Sequence, residues 1–320
     1  MKKTILTVIP MGEAYRRQLQ EAAGEASVVF VEETALTQEQ VDQAEIILGN
    51  IPPEMVQRAQ KLEWLQLNSA GYDAYAKPEI LGAGRILTCC VGAYGQSVAE
   101  HMLAMLLAME KKLPLYRDGQ RQHVWEDHGT VLSIADATLL VLGLGNIGNH
   151  FARMAHALGA RVLGVKRTPG PCPAYVDGIY ETKQALSLLP QADAVVSFLP
   201  SSRETWGLVD EEWFRRMKPG SFFLNGGRGN TVNAQALCQA LREGWIAGAA
   251  LDVTDPEPLP PDHPLWDAPG LFLTPHVSGG YHLPVTLDRV SEICVENVRR
   301  YQAGEPLRNV VVGNGRGNGR

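Results

Sequence analysis

A glycine-rich turn in the middle of the chain constrains the fold more than any other feature of the sequence. It lies between an apolar run, Ala137–Leu142, and an amphipathic segment, Asn149–Leu158, and a second apolar run follows at Arg161–Val165. The turn reads Gly143-Leu144-Gly145-Asn146-Ile147-Gly148. Two neighbouring parallel strands need a crossover connection, and an amphipathic helix is the usual one. The pattern therefore predicts a strand–turn–helix–strand unit of an α/β fold.

Each glycine of this turn has a separate physical reason. Gly143 permits a tight turn, Gly145 lets backbone N–H groups approach a pyrophosphate, and Gly148 permits close packing of the helix on the strand. The partial positive charge of the helix N-terminus would then face the phosphates. The turn predicts a dinucleotide-binding site, and the alternative is a glycine turn of some other α/β protein.

The end of the second strand bears on which dinucleotide is bound. An acidic residue there would bind the ribose 2′-hydroxyl of NAD, but this chain has Lys166, Arg167 and Thr168. Two cationic side chains and a hydroxyl would instead neutralise and hydrogen-bond a 2′-phosphate. The turn therefore favours NADP(H) over NAD(H), with a solvated basic turn as the alternative.

Short β-branched runs alternate with longer amphipathic stretches through most of the chain, which is typical of parallel sheets covered by helices. The candidate strands of the first hundred residues are Thr4–Ile9, Val28–Val31, Ile46–Leu48, Leu65–Leu67 and Ile86–Leu87. The later ones, besides the two that flank the glycine turn, are Ala194–Leu199, Ser221–Leu224, Gly248–Val253 and Leu271–Thr274.

Two long helical segments indicate how the chain divides into domains. The segment from Gln96 to about Lys112 is apolar on most faces, so we expect a buried helix that connects two sheets. The segment Val285–Tyr301 would carry the chain back to the first domain. We expect a discontinuous substrate domain, residues 1–100 and 284–320, and a dinucleotide-binding domain at residues 101–283.

Composition and charge exclude several classes of protein. Against 35 Asp and Glu there are 29 Lys and Arg, and the net charge of −6 provides no global field for nucleic acid or an anionic membrane. The longest apolar stretch, Val98–Met109, contains Glu100 and falls short of the roughly 20 residues that span a bilayer. Five cysteines without a C-x-x-C spacing argue against a zinc site or a disulfide scaffold. We expect a cytoplasmic protein with no metal and no nucleic-acid or membrane partner.

Three polar residues in the second half of the chain each follow a candidate strand: Arg228, Glu257 and His276. Ligands of open α/β sheets bind beyond the carboxyl ends of the strands, so all three side chains can converge there. Taken singly, each has an ordinary alternative. The arginine could form a surface ion pair, the glutamate between prolines could be solvated, and the histidine could cap a strand.

Four motifs in this order resemble those of the D-isomer-specific 2-hydroxyacid dehydrogenases, of the glyoxylate/hydroxypyruvate reductase type. They are the glycine turn, Asn225-Gly226-Gly227-Arg228-Gly229, Leu251-Asp252-Val253-Thr254-Asp255-Pro256-Glu257-Pro258-Leu259 and Thr274-Pro275-His276. The resemblance extends to Leu67-Asn68-Ser69-Ala70-Gly71-Tyr72-Asp73 and to Val98-Ala99-Glu100-His101. It implies two Rossmann-like domains, a discontinuous flavodoxin-like substrate domain and a cofactor domain with a doubly wound parallel sheet. It also implies a homodimer.

The resemblance further implies NAD(P)-dependent reduction of small 2-keto acids, such as glyoxylate and hydroxypyruvate, to D-2-hydroxy acids. Arg228 would bind the substrate carboxylate and 2-oxygen, for which its planar fork is suited. His276 would be the general acid–base, oriented by Glu257, and backbone N–H groups near Ala70 and Gly71 would also bind the carboxylate. The implied cofactor contacts, besides the basic turn, are Gly143, Leu144, Gly145, Asn146, Ile147, Gly148, Leu199, Pro200, Gly226, Gly227, Asp252, His276, Ser278 and Gly279.

Two other functions fit the same residues. A dinucleotide-sensing corepressor shares the fold and the triad, and a phosphite-type dehydrogenase also uses an arginine, a glutamate and a histidine. The chain departs from the family pattern at Cys89 and Cys90, which we predict to be buried small apolar side chains rather than reactive thiols. Thr254 stands where an aromatic residue is more usual.

Overall fold

The computed structural model describes residues 2–313, which separate into two compact units. We call them the split unit, which takes the chain up to Tyr94 and again from Gly280, and the central unit, Gly95–Gly279. Residues 314–320 of the expected first domain lie outside the described residues. The chain therefore leaves the split unit once, builds the whole central unit, and returns.

Strands and helices alternate in both units. Within residues 2–313 the strands are β1 Thr4–Thr7, β2 Ser27–Phe30, β3 Ile46–Leu48, β4 Trp64–Gln66, β5 Ile86–Thr88, β6 Thr138–Leu142, β7 Arg161–Lys166, β8 Gly178–Glu181, β9 Ala194–Ser197, β10 Phe222–Asn225, β11 Gly248–Leu251, β12 Leu271–Leu273 and β13 Val310–Val312. The α-helices are α1 Glu13–Ala23, α2 Gln38–Gln43, α3 Pro53–Arg58, α4 Pro78–Leu81, α5 Gly95–Glu110, α6 Leu113–Gln122, α7 Asn146–Ala157, α8 Ala185–Leu188, α9 Glu211–Arg216, α10 Ala234–Arg242 and α11 Pro284–Ala303.

The sheet of the split unit has the strand order β13-β5-β4-β3-β1-β2. Its first five strands in sequence pair in parallel in the flavodoxin order, and β13 adds an antiparallel edge beside β5. Leu6, Ile47, Leu65 and Leu87, one from each of four adjacent strands, belong to one buried core cluster. The prediction of a discontinuous flavodoxin-like domain is confirmed.

The sheet of the central unit has the order β12-β11-β10-β9-β6-β7-β8, and all its pairs are parallel. Read from β8 to β11 this is the doubly wound order 3-2-1-4-5-6, with β12 as a seventh strand. The order reverses between β6 and β9, which places the topological switch point beside the glycine turn. The predicted doubly wound parallel sheet is confirmed.

Helix ends follow from local side chains. Thr37 and Gln40 form a capping box at the start of α2, in which each side chain accepts a hydrogen bond from the other's backbone N–H. Proline opens α11 at Pro284, and the helix ends at Gly304, which adopts the left-handed conformation with φ 69°. No helix within residues 2–313 combines the length and the apolar character that crossing a membrane requires.

The predicted elements differ from the observed ones mainly at their ends. The strand expected over Ala194–Leu199 ends at Ser197, and the strand expected over Gly248–Val253 ends at Leu251. The apolar residues beyond these ends are buried in loops at the carboxyl edge of the sheet, and burial alone does not distinguish a loop from a strand. Helix α7 begins at Asn146 rather than Asn149, because Gly145 is its N-cap. The short edge strands β8 and β13 were not anticipated.

Candidate active site

The glycine turn joins β6 to α7 at the carboxyl edge of the central sheet. Gly143 has φ 88°, which L side chains rarely adopt, and a Cβ atom there would lie 2.9 Å from the carbonyl oxygen of Phe198. A Cβ on Gly148 would overlap the backbone oxygen of Gly143. At Gly145, in contrast, a Cβ would meet no atom within 4 Å. Two glycines therefore serve internal packing, and the middle one borders open space.

This geometry fits the phosphates of a dinucleotide. Open space at Gly145 lies in front of the first turn of α7, whose N-terminus has no side-chain cap. Backbone N–H groups and the positive end of the helix dipole are thus directed toward an anion at this position. The loops after β9 and β10 also lie close to each other, because a Cβ on Gly227 would lie 2.5 Å from the carbonyl oxygen of Leu199.

The structure places the other predicted cofactor residues at the same edge of the sheet. Lys166 is the last residue of β7, the neighbour of β6, and Arg167 and Thr168 follow it and are exposed. The positive charge of Arg167 is among the influences that lower the pKa of Glu204, after the hydrogen bonds from Ser202 and from its own backbone. The remaining predicted residues follow the strands β9, β10, β11 and β12, and they are Leu199, Pro200, Gly226, Gly227, Asp252, Ser278 and Gly279.

Glu257 and His276 form a direct pair. Nδ1 of His276 lies 2.8 Å from Oε2 of Glu257, and Oε1 of the same carboxylate accepts a hydrogen bond of 2.9 Å from the N–H of Thr254. Nearly half of the histidine side chain is exposed (49%), and the contact with Glu257 leaves the second ring nitrogen, Nε2, unengaged. The pair consequently has the geometry of a carboxylate that fixes the tautomer and orientation of an imidazole.

Each member of this pair favours the charged form of the other. The hydrogen bond to Glu257 raises the pKa of His276 above its ordinary value against the effect of burial, and the charges of Glu257 and Asp252 add to it. Burial would raise the pKa of Glu257, but the hydrogen bonds from His276 and Thr254 outweigh it and the pKa is lowered. The contact therefore stabilises an imidazolium beside a carboxylate relative to the same two groups apart.

Arg228 lies in the loop after β10, and its charge acts on both members of the pair. It contributes to lowering the pKa of Glu257 and opposes the rise in the pKa of His276. The backbone carbonyl of Arg228 accepts hydrogen bonds from Asn225 Nδ2 (2.9 Å) and Thr231 Oγ1 (2.7 Å), which fix the loop. The structure thus brings the three predicted residues together, although 48 positions separate the first from the last in the sequence.

Asp252, predicted from the resemblance as a cofactor contact, is a fully buried carboxylate just beyond β11. It accepts hydrogen bonds from Thr274 Oγ1 (2.6 Å), Val277 N (3.0 Å) and Ser278 N (3.1 Å), and also from the hydroxyl of Ser278. Its backbone carbonyl accepts one from the N–H of His276, at 2.8 Å. Asp252 thereby organises the segment that carries the histidine.

Ala70 and Gly71 lie in the split unit, in the loop after β4. Two reciprocal hydrogen bonds between Asn50 and Asn68 fix this loop. The N–H of Asn50 donates to Oδ1 of Asn68 at 2.6 Å, and the N–H of Asn68 donates to Oδ1 of Asn50 at 3.2 Å. Ser69 Oγ donates to the carbonyl of Gly71 at 2.5 Å. The role of Asn50 was not predicted, because its partner lies 18 residues away and only the pairing of β3 with β4 brings them together.

The cysteine interpretation agrees with the structure. Cys89 and Cys90 are both buried beside β5, and burial raises the pKa of the Cys89 thiol. A raised thiol pKa disfavours the reactive thiolate. Within residues 2–313, no group of three or more His, Cys, Asp and Glu side chains is arranged to hold a metal ion.

Known proteins match this chain in both sequence and structure. Residues 103–278 match the family model described as the D-isomer specific 2-hydroxyacid dehydrogenase, NAD binding domain. A glyoxylate reductase of Korarchaeum cryptofilum is 32% identical over 276 residues, which are 83% of this chain and 81% of that protein. The crystal structure of a D-isomer specific 2-hydroxyacid dehydrogenase family protein from Aeromonas salmonicida is 34% identical, with a TM-score of 0.86 over 98% of this chain and 99% of the other.

A third relative is a D-isomer specific 2-hydroxyacid dehydrogenase from Xanthobacter autotrophicus, solved in complex with NADPH and MES. It is 28% identical, with a TM-score of 0.81 over 98% of each chain. The matched family model covers more than half of this chain and falls within the central unit. The chain belongs to the D-isomer specific 2-hydroxyacid dehydrogenase family, and it is an NAD(P)-dependent dehydrogenase.

Proposed function

We propose that the protein reduces small 2-keto acids of the glyoxylate and hydroxypyruvate type to D-2-hydroxy acids. The observation that carries this proposal is the 2.8 Å contact between His276 Nδ1 and Glu257 Oε2, with the charge of Arg228 acting on both groups. A protonated imidazole beside a guanidinium suits a carbonyl oxygen that gains negative charge as it is reduced. The similarity to a glyoxylate reductase at 32% identity supports the substrate class.

In this mechanism Nε2 of His276 donates a proton to the 2-keto oxygen, because Nδ1 is engaged by Glu257. The nicotinamide, when bound, supplies the hydride that adds to the 2-carbon. Arg228 binds the carboxylate and the 2-oxygen through parallel N–H···O bonds and stabilises the charge that develops there. Backbone N–H groups near Ala70 and Gly71 are a second proposed contact of the carboxylate. In the oxidative direction, neutral His276 accepts the hydroxyl proton.

We propose NADP(H) as the preferred cofactor. Lys166 ends the strand beside the glycine turn, and Arg167 and Thr168 follow it, so two cations and a hydroxyl adjoin the adenosine side of the predicted site. A 2′-phosphate forms charge-assisted hydrogen bonds with such groups. The relative from Xanthobacter autotrophicus that was solved with NADPH supports this preference.

We also propose a homodimer located in the cytoplasm. Helix α6 and the segment after it expose large apolar side chains, among them Leu115, Val124 and a fully exposed Trp125. Exposed aromatic and aliphatic side chains grouped in this way are typical of subunit interfaces. All five cysteines are free, which supports a reducing compartment.

The test is reduction of glyoxylate and hydroxypyruvate, followed by nicotinamide absorbance with NADPH and NADH side by side. We expect turnover with both acids and faster oxidation of NADPH. The His276→Ala variant should lose about 10²- to 10⁴-fold in kcat, because it lacks the proton donor. Turnover of phosphite without keto-acid reduction, or near-wild-type activity of His276→Ala, would overturn the proposal.

A further inference from the structure

One face of α5 contacts the segment that carries His276, and both belong to the central unit. Ser97 Oγ donates a 2.6 Å hydrogen bond to the carbonyl oxygen of Ser278, and His101 Nε2 lies 3.0 Å from Thr274 Oγ1. Ser97 and His101, which we call the α5 pair, are four residues apart and so lie on the same face of the helix. They contact the two ends of the segment 274–278.

Which group donates in the contact between His101 Nε2 and Thr274 Oγ1 depends on where the hydroxyl proton of Thr274 is directed. Its hydroxyl lies 2.6 Å from Asp252 Oδ1 and 3.9 Å from the sulfur of Met105. A carboxylate is a much stronger acceptor than a thioether, so the single hydroxyl proton goes to Asp252. Thr274 Oγ1 must then accept from His101, whose Nε2 carries a proton and lies 3.7 Å from Asp252 Oδ1.

The segment between these contacts needs to be held on both sides. His276 has φ 51°, a left-handed conformation that is uncommon for residues other than glycine and that the surrounding structure must stabilise. Asp252 holds the segment from the sheet through bonds to Val277 and Ser278. The α5 pair holds it from the helix, at Thr274 and Ser278.

We propose that Ser97 and His101 are positioning residues for the reaction: they keep the backbone of His276 in the conformation that directs its imidazole to Glu257. This inference rests on the proposed role of His276 as the proton donor. The pair touches neither the imidazole nor the carboxylate of Glu257, and it acts through the backbone of the segment. Its loss therefore changes the orientation of a proton donor rather than substrate recognition.

The experiment compares two substitutions of His101 in the full chain. In His101→Phe the hydrogen-bond donor is lost at similar volume, and we expect kcat for keto-acid reduction to fall about 10- to 100-fold, with the KM of the keto acid changed less than about threefold. In His101→Gln the side-chain amide donates to Thr274 Oγ1, and we expect kcat within about threefold of the wild type. Ser97→Ala should lower kcat in the same direction and serves as the second variant if His101→Phe does not fold.

A second measurement is independent of turnover. The charged and titratable groups that act on the His276 imidazole are Glu257, Asp252 and Arg228. If the α5 pair positions the imidazole, His101→Phe weakens the bond to Glu257, and the pKa of His276 measured by NMR falls. If His101 acted only as a positive charge, its removal would raise that pKa. The matched control is His156→Phe, a change of an exposed histidine in α7, which should alter neither kcat nor the pKa of His276.

The outcomes separate this inference from the proposed function. A loss of kcat in His101→Phe that His101→Gln restores, together with a lower His276 pKa, supports the positioning role. Wild-type kcat in His101→Phe, equal losses in both variants, or a raised pKa would overturn it. Absence of keto-acid turnover in the wild type would instead refute the proposed function, and the NMR titration would still decide whether the α5 pair orients His276.

Discussion

Alanine substitutions at two glycines of the same turn should have opposite consequences. In Gly148→Ala the new methyl group meets the backbone oxygen of Gly143, which belongs to the turn itself and cannot rotate away. Overpacking of this kind costs about 1–3 kcal/mol. For a unit of this size each kcal/mol corresponds to about 2–4 °C in Tm, so we expect a Tm lower by about 2–12 °C in the ligand-free protein.

Gly145→Ala should lower stability much less than Gly148→Ala does, and it should weaken the binding of the cofactor. The residue is extended, with φ −88° and ψ −151°, and its Cβ meets no protein atom within 4 Å. The methyl group instead occupies the space in front of α7 where the pyrophosphate approaches. A steric cost of about 1–3 kcal/mol corresponds to an increase of about 5- to 160-fold in the Kd of NADPH.

The assay is thermal unfolding without cofactor, together with titration of NADPH by fluorescence, on the wild type and both variants. Stability and cofactor affinity should then separate between the two positions. If Gly148→Ala were as stable as the wild type, or if Gly145→Ala lost Tm but bound NADPH normally, the assignment of one glycine to packing and the other to the ligand would be wrong.

Three further predictions concern the chemistry, the cofactor and the assembly. Glu257→Gln should lower kcat about 10- to 100-fold. Because the pKa of His276 is raised mainly by this carboxylate, the fall in keto-acid reduction with rising pH should begin at lower pH in the variant; an unchanged pH profile would refute the coupling. Neutralising Lys166 and Arg167 together should raise the KM for NADPH about tenfold and that for NADH less than about threefold, and equal increases would remove the 2′-phosphate argument. Trp125→Ala should shift the protein toward monomer in light scattering, whereas an unchanged mass would show that this surface is not the interface.

Local patterns were sufficient to predict the elements near the glycine turn. The apolar runs are buried strands because helices cover both faces of a parallel sheet. Two of the three glycines occur where a tight turn and the packing of a helix require the absence of a Cβ, and the third borders the open space proposed for the pyrophosphate. The ends of the strands are predicted less well. The strand expected to continue through Phe198 and Leu199 ends before them, because apolar side chains are also buried in loops. The convergence of Arg228, Glu257 and His276 could be predicted because strand ends of one sheet share an edge. The resemblance to the family, and not this geometry, implied their proposed roles.

Other features depend on which strands and helices become neighbours, and no local pattern encodes this order. Asn50 and Asn68 bind each other only because β3 pairs with β4. His101 reaches Thr274 across 173 residues because the first turns of α5 lie at the carboxyl edge of the central sheet. The sequence by itself therefore determined the strand and helix periods, the glycine turn and the residue types of the active site. Tertiary structure alone decided how Asp252 and α5 hold His276, because hydrogen bonds between distant residues depend on the strand order, which is a property of the whole fold.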